Sequence, residues 1–497
     1  MESNKAIYIK IVGSVSMAVY AVFTYQLMIR GLEEKFIVII ISLAALMIGL
    51  KFSLMGLFFS LAAMNLFFNL APGEILQGGV IKKTWDYGFF MMMIFGFSQF
   101  ISSEKSIRTI KMPFYFKIFI VYLVICVVSF LVTLIKYPFP ALDTIRTFRN
   151  QLGYLFIPVL LIYFLQAPDK GYVQRLYSFL TPLYYLSFFL LILYVLQFLI
   201  QRPIFTGYQS SFSIAGASYL RSIPQFLFMC YFFLWFNLSA WLTNNEVYYG
   251  GKIYIFLCFA ATLFTFTRGI YISTALVLTV LVFLILKTKK INPSRLVIAG
   301  LIAFPIIAVT VLVGYLTPFF VRAASITQTS ISGAKGDDTF AYRIDLLKDR
   351  IKLIRNKNAF IGIGFVHNKY GYRFGSFRGN YDEDIGRSAL GCADIAWGNI
   401  VYRTGWLGVG TFMCFIISII CFIFSGEGYG DKLDSMALLE LAALLVLLGN
   451  IVQMMISDSF TGGDTQNNAL MFAVALFLYT LRSQKKEKVS LVGSYHK

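Results

Sequence analysis

The sequence predicts an all-α fold, a polytopic integral membrane helix bundle of about fourteen spans. Three observations predict it. Of 497 residues, 58% are hydrophobic and only 13% charged, with a mean hydropathy of +0.73, whereas soluble domains carry roughly a quarter charged residues. Apolar runs of about 16 to 24 residues recur from end to end, each able to cross a hydrocarbon core of about 30 Å. One long polar interval, 319–398, separates two sets of these runs.

The spans expected from length lie near 8–29, 36–50, 52–71, 86–103, 116–135, 152–166, 179–200, 223–243, 253–267, 270–286, 296–318, 400–424, 436–456 and 467–481. The pairs meeting at Lys51 and at Arg268-Gly269 are joined by very tight turns. The opening MESNKAIYIKIVGSVSMAVYAVF reads as a first span, because it begins acidic and has no small-residue cleavage site. Lys and Arg prefer cytoplasmic loops. Placing both termini in the cytoplasm puts Lys105, Arg108 and Lys111, then Lys287, Lys289, Lys290 and Arg295, and finally Lys485, Lys486 and Lys488 on that side. Three regions follow: N-terminal transmembrane helices (1–318), a long extracytoplasmic loop (319–398), and C-terminal transmembrane helices with a basic tail (399–497).

The formal charge of +19 would point to nucleic acid in a soluble protein. Here the excess belongs in loops, since Lys and Arg are costly at the bilayer centre. The expected partners are membrane lipids and anionic, phosphate-bearing substrates, and no nucleic acid. The cysteines, Cys126, Cys230, Cys258, Cys392, Cys414 and Cys421, show no CxxC spacing and read as small packing residues. Two histidines, His367 and His496, are too few for a His-based metal site.

A connection as long as 319–398 is usually functional. Within it, residues 338–356 place Phe340, Ile344, Leu347, Ile351 and Ile354 on one helical stripe opposite Arg343, Lys348, Arg350, Lys352 and Arg355. The pattern predicts a basic amphipathic helix lying in the outer headgroup plane, followed by the Gly-containing run FIGIGF at 360–365.

Arginines recur at the outward span ends: Arg146, Arg149, Arg221, Arg268, Arg343 and Arg403. A guanidinium is always charged, and its fork matches phosphate oxygens bidentately. Several converging at one face would make a pyrophosphate site; snorkelling to headgroups is the alternative use. Arg268 sits in a hairpin so short that its side chain has little freedom, and the next helix adds N–H donors and a positive dipole for an anion. The outward carboxylates are Asp143, Asp337, Asp338, Asp345, the run Asp382-Glu383-Asp384, Asp394, Asp458 and Asp464. Three adjacent acids on a loop are usually solvated rather than metal-bound, so no metal is expected. Asp394 borders an apolar span, where desolvation would suit a general base, although an Asp near a helix start also serves as a cap.

Three segments, in order, resemble the bacterial O-antigen ligase and polymerase family of membrane glycosyltransferases. TFTRGIYIS (265–273) resembles its Thr/Ser-Arg-Gly turn between spans. Tyr342-Arg343 leading a helix that ends before IGIGF resembles its long-loop pattern, and Asp394 followed by Gly405-Trp406-Leu407-Gly408 resembles the motif opening the next span. The resemblance covers roughly residues 200–425. It implies a GT-C-like fold without cofactors that transfers a glycan from a polyprenyl pyrophosphate carrier to a sugar hydroxyl at the outer face of the bacterial cytoplasmic membrane. On this resemblance Arg268, Arg221 and Arg343 hold the pyrophosphate leaving group, Asp394 activates or orients the acceptor, and Arg146, Arg149 and Arg403 add substrate contacts. Tyr342, Tyr370, Tyr372 and Trp397 would stack on sugar faces, or belong to the interfacial belt. Ligases of this type carry a His-Asn pair where this chain has Asp394-Ile395, which points to a polymerase of lipid-linked repeat units, working with a flippase and a chain-length regulator. A ligase and a lipid-linked glycan transporter are the competing readings; a transporter would place charges mid-span with symmetry between halves.

Overall fold

The computed structural model describes Met93, residues 110–165, 171–200, 208–214, 217–223, most of 226–287, much of 347–370, and 396–425, 434–454 and 465–494. The spans expected before residue 110, the one at 296–318, and most of the loop at 319–398 lie outside the described residues. The described chain forms helices α1 (Phe114–Lys136), α2 (Ala141–Leu152), α3 (Phe156–Leu165), α4 (Tyr172–Ile200), α5 (Phe226–Leu242), α6 (Gly251–Phe264), α7 (Arg268–Lys287), α8 (Ala396–Ser425), α9 (Ser435–Gln453) and α10 (Thr465–Ser494). Among the described residues, six helical segments are long and apolar enough to cross a membrane: α1, the run Ala141–Leu165, α4, Gly269–Lys287, α8 and α9.

Prolines punctuate the first of these. α1 ends at Lys136, and Pro138 and Pro140 follow, the latter standing at the N-cap of α2; proline has no N–H to continue a helix and a backbone preset to begin one. α2 then runs through the 3-10 turn Gly153–Leu155 into α3. Arg146 and Arg149, expected at a span end, therefore stand on a helix that continues into the span expected at 152–166. At α9, Asp434 is the N-cap and its Oδ1 accepts from Ala437 N at 2.8 Å.

One departure from all-α is a two-stranded antiparallel hairpin, β1 (Tyr208–Ile214) with β2 (Ala217–Ile223), in register from Tyr208 opposite Ile223 to Ile214 opposite Ala217. The period-two placement of Tyr208, Phe212 and Ile214 is the strand signal. Arg221 consequently lies on β2 opposite Ser210, not at a helix end.

The chain divides into two compact units. The first comprises Met1–Ile110, Leu155–Asn237 and Tyr248–Phe266. Its core joins α4 to α6: Tyr184 stacks on Tyr254 at 5.0 Å, and the Tyr254 hydroxyl lies 2.9 Å from Ser187 Oγ and donates to Cys230 O at 3.2 Å.

The second unit comprises Lys111–Tyr154, Leu238–Val247 and Thr267–Lys497. Here α1 packs along α8, and α9 packs against both α7 and α10. Phe119 is the node, stacked on Phe472 at 4.4 Å and edge-on to Tyr154 at 4.9 Å. Contacts distinguish two ends. At one, Lys111 N donates to Thr480 Oγ1, Lys287 Nζ to Phe424 O, and Arg482 pairs with the buried Glu440. At the other, Ser273 Oγ donates to Gly449 O at 2.9 Å and Asn450 Nδ2 to Asn468 Oδ1 at 2.6 Å.

This second, polar end is organised by a break in α8. Gly405 adopts φ 62°, ψ −160° inside the helix, which interrupts its ladder of backbone hydrogen bonds. The freed groups find partners in the loop and in α1. Ile363 N donates to Tyr402 O at 2.9 Å, Leu407 N to Phe360 O at 3.2 Å, and Ser129 Oγ to Arg403 O. Phe365 N donates to Thr133 Oγ1 at 2.9 Å. The loop approaches this closely because it is Gly362-Ile363-Gly364, with φ 87° and 96° at the glycines; a Cβ on Gly362 would sit 2.6 Å from Arg403 O and from Gly405 N. Gly362→Ala is expected to destabilise the protein by about 2–4 kcal/mol, from strained φ and overlap together. Gly410→Ala, five residues past the kink with nothing near its Cβ, should be neutral or stabilising by up to about 1 kcal/mol. Apparent melting temperatures in detergent compare the two.

Candidate functional site

The polar end of the second unit gathers side chains from four places: the start of α2, the loop helix at 347–355, the Gly-x-Gly segment with Tyr370, and the first turns of α8. Phe148 of α2 stacks on Phe130 of α1 at 4.4 Å and meets Phe365 edge-on at 4.9 Å. The Arg403 guanidinium lies over the same Phe365 ring, 5.4 Å from its centre. Among the described residues its buried Nη1 has no acceptor. Arg149, beside Phe148, has a buried Nε. Arg146 Nη1 faces Asp143 Oδ1 at 3.5 Å, and the Tyr370 hydroxyl donates to Asp143 Oδ2 at 2.7 Å.

Tyr370 is held on two sides and is partly exposed. Its ring lies on Phe139 at 4.4 Å and 13°, in a cluster with Tyr137, whose hydroxyl pKa burial raises. Trp397 is partly exposed and edge-on to Phe412 at 5.8 Å, with an indole N–H that is buried and without an acceptor among the described residues.

The amphipathic helix differs from expectation in two ways. Its apolar side seats on protein instead of headgroups: Ile354 packs with Ile363, Val366, Val401 and Tyr402, and Leu347 and Ile351 pack against them. The broken α8 and the Gly-x-Gly segment offer an apolar surface beside it, and burying the stripe there removes it from water. Second, Arg350, expected on the polar face, is 1% exposed, while Lys348, Lys352 and Arg355 are exposed. Gly398 makes this possible, because a Cβ there would overlap the Arg350 guanidinium. Arg350 is the arginine that the span-end rule misses. A sequence signal exists: at roughly 100° per residue, Arg343 and Arg350 share one flank of the stripe and Lys348, Lys352 and Arg355 the other.

Arg268 opens α7, and Thr267 O accepts from Ile270 N and Tyr271 N in its first turn. Ser273, in the next turn, bonds Gly449 at the polar end, so the start of α7 belongs to the same end of the unit as Arg403. Arg221 lies on the hairpin of the first unit. Tyr342, Arg343, Tyr372 and Asp394 lie outside the described residues. Of the described cysteines, Cys126, Cys230 and Cys258 are buried free thiols, as packing residues should be, while Cys414 and Cys421 are exposed. Among the described residues, no three His, Cys, Asp or Glu side chains converge as a metal site would need.

The arrangement is thus cationic, partly buried and set at the end of apolar helices. Guanidinium groups in such a place can hold an anion by charge-assisted hydrogen bonds. Comparison with known families agrees on the region. Residues 253–413 match the family described as O-antigen ligase. The O-antigen-ligase-like segment takes in α6, α7, the long loop and α8 past its kink, and so contains Arg268, Arg350, both loop glycines, Tyr370 and Arg403. It associates this integral membrane protein with the processing of lipid-linked glycans. Asp143, Arg146 and Arg149 lie outside it and are brought to it by the packing of α2 on Phe365. No curated protein matches the chain.

Gly398→Ala is expected to cost about 1–3 kcal/mol by overpacking against Arg350. In an Arg350→Ala background the same change should cost much less. Thermal unfolding of the four proteins of this double-mutant cycle measures the coupling.

Proposed function

We propose that this protein is a membrane glycosyltransferase that polymerises polyprenyl-pyrophosphate-linked oligosaccharide repeat units at the outer face of the bacterial cytoplasmic membrane, into O-antigen, capsule or exopolysaccharide. The observation that carries the reading is the meeting, at one end of the second unit, of Arg350 and Arg403 of the O-antigen-ligase-like segment with α2, which bears Arg146 and Arg149.

As the anomeric C–O bond breaks, its electron pair leaves on the pyrophosphate, and guanidinium groups already in place stabilise that charge in a water-poor site. Arg268, Arg221 and Arg343 are assigned to the pyrophosphate, with Arg146, Arg149 and Arg403 contributing substrate contacts. Asp394 orients or activates the acceptor hydroxyl, and Tyr342, Tyr370 and Trp397 border the sugars. No metal is assigned a role. The polymerase works beside a flippase that delivers the carrier and a chain-length regulator. A ligase is the second reading, favoured by the match of residues 253–413 to the O-antigen ligase family; against it stands Asp394-Ile395 in place of the ligases' His-Asn pair.

The test is incubation of the purified protein with the host's own polyprenyl pyrophosphate oligosaccharide, without added metal or nucleotide, followed by glycan sizing and analysis of the released lipid. A ladder at repeat-unit intervals is the expected result. Transfer of intact glycan to a different acceptor marks a ligase, and movement of the unaltered lipid across vesicles marks a transporter. Arg268→Ala should lower turnover about 10²–10³-fold, the scale for losing one stabilising donor, with protein abundance unchanged. Arg268→Lys keeps the charge and loses the fork, so the activity it retains measures how much of the role is point charge.

A further inference from the structure

Asp143 lies outside the O-antigen-ligase-like segment and heads no motif. Of the described residues with placed side chains, the carboxylates are Asp143, Asp434 and Glu440. Asp434 caps α9, and Glu440 pairs with Arg482, toward the end of the second unit where Lys111 lies. Asp143 alone among them shares the polar end with Arg146, Arg149, Arg350 and Arg403.

Its surroundings are unusual for an acid in the first turn of a helix, which ordinarily stands in water and complements the dipole. Asp143 is 4% exposed. One oxygen accepts the Tyr370 hydroxyl at 2.7 Å, from a residue 227 positions away in the chain, and the other faces Arg146 at 3.5 Å. The Tyr370 ring lies flat on Phe139, and Phe139, Tyr370 and Arg146 are each partly exposed. A carboxylate is thus held in one orientation beside a flat aromatic pair. That combination suits a carbohydrate: rings take the C–H face of a sugar, and a carboxylate takes a hydroxyl hydrogen.

Resting on the glycosyltransferase reading above, we infer that Asp143 is the catalytic residue that receives the acceptor hydroxyl, with Tyr370 as its positioning residue, which leaves Asp394 the task of orienting the acceptor. The acceptor oxygen forms its bond to the anomeric carbon as the anomeric C–O bond to pyrophosphate breaks. The electron pair leaves with the pyrophosphate, and the hydroxyl proton passes to Asp143, which returns it to water before the next transfer. Base and cations are then separate: the carboxylate acts on the nucleophile, the guanidinium groups on the leaving group.

Among the described residues, the charged and titratable groups at this end are Arg146 and Arg149 on α2 itself, Lys136 and Tyr137 at the end of α1, Arg350 on the loop helix, Tyr370, and Tyr402 and Arg403 on α8. An acid limb of turnover is assigned to Asp143 by its response to the loss of the Tyr370 hydroxyl, the donor to Asp143 Oδ2.

The experiment compares purified wild type, Asp143→Asn and Tyr370→Phe with the host's polyprenyl pyrophosphate oligosaccharide across pH, and measures donor binding by the melting shift the lipid-linked substrate produces. Asp143→Asn keeps an acceptor for the Tyr370 hydroxyl and loses the base; turnover is expected to fall about 10²–10⁴-fold, the usual worth of a positioned base, with the melting shift retained. Tyr370→Phe keeps the ring and loses the O–H. A donor to the charged carboxylate stabilises it, so its loss raises the Asp143 pKa. The acid limb should then move to higher pH while turnover at alkaline pH survives, an effect a purely structural contact would not produce. Turnover in Asp143→Asn within threefold of wild type, or an unmoved acid limb in an active Tyr370→Phe, overturns the inference. If Asp143→Asn does not fold, the acid limb of Tyr370→Phe decides alone. A wild type that forms no product sinks the glycosyltransferase reading itself, whereas an active wild type with unaltered variants sinks only the role of Asp143.

Discussion

The arrangement of the second unit depends on one exchange of backbone hydrogen bonds. A helix broken at Gly405 leaves carbonyls and amides that no i→i−4 partner can satisfy, and at the end of an apolar bundle such groups are expensive to strand. The loop at 360–365 and Ser129 of α1 take them up: Tyr402 O, Arg403 O and Leu407 N all find partners outside α8. The dependence is mutual. Without the kink the Gly-x-Gly backbone has nothing to dock on, and without two glycines at positive φ it could not come close enough to dock. Whatever holds this junction also fixes Phe365 beneath Arg403 and Ile363 against the loop helix.

That junction explains which parts of the site were legible from sequence. The apolar runs are a local property of composition, so α1, α4, α7, α8 and α9 stand where hydropathy places them. Arg268 and Arg403 are legible for the same reason, as charges at the ends of such runs. The hairpin at 208–223 falls between two expected spans, because its alternation is short and more than half of its residues are small or polar. Arg146 and Arg149 stand before the span expected at 152–166, because α2 is too polar to count in it, although its chain continues helically into that span. Arg350 was misread for a deeper reason. Its burial follows from Gly398 on another element, and no periodicity within the loop reveals a vacancy across the fold. Tyr370 illustrates the converse. Its type and place mark it in the sequence as a residue for a sugar face, but its contacts with Phe139 and Asp143, both more than 200 positions earlier, come from the fold alone.

The two ends of the second unit treat buried charge differently. Near Lys111, Glu440 and Arg482 form a paired ion bridge beside Tyr115. Burying such a pair adds little net stability, since desolvation offsets the attraction, but it ties α9 to α10 in a single register. At the polar end Arg146 faces Asp143 at 3.5 Å, and Arg403 lies over the Phe365 ring with a buried Nη1 that has no acceptor among the described residues. A guanidinium N–H withdrawn from water without an acceptor costs free energy, so its place is one that the protein keeps for something other than stability.

An anionic ligand would supply the missing acceptor. On the glycosyltransferase reading, a pyrophosphate leaving group gains negative charge as the anomeric bond breaks, so guanidinium groups fixed beforehand would favour the transition state over the ground state, which is the condition for accelerating a reaction instead of merely binding a substrate. Fixity is therefore the property the fold must supply, and it comes from contacts too close to yield: Gly398 against Arg350, Gly362 against the backbone of Arg403, and Phe365 under the Arg403 guanidinium. In this end of the bundle the glycines are as much a part of the site as the arginines, because the absence of a side chain at each sets where the charge beside it can stand.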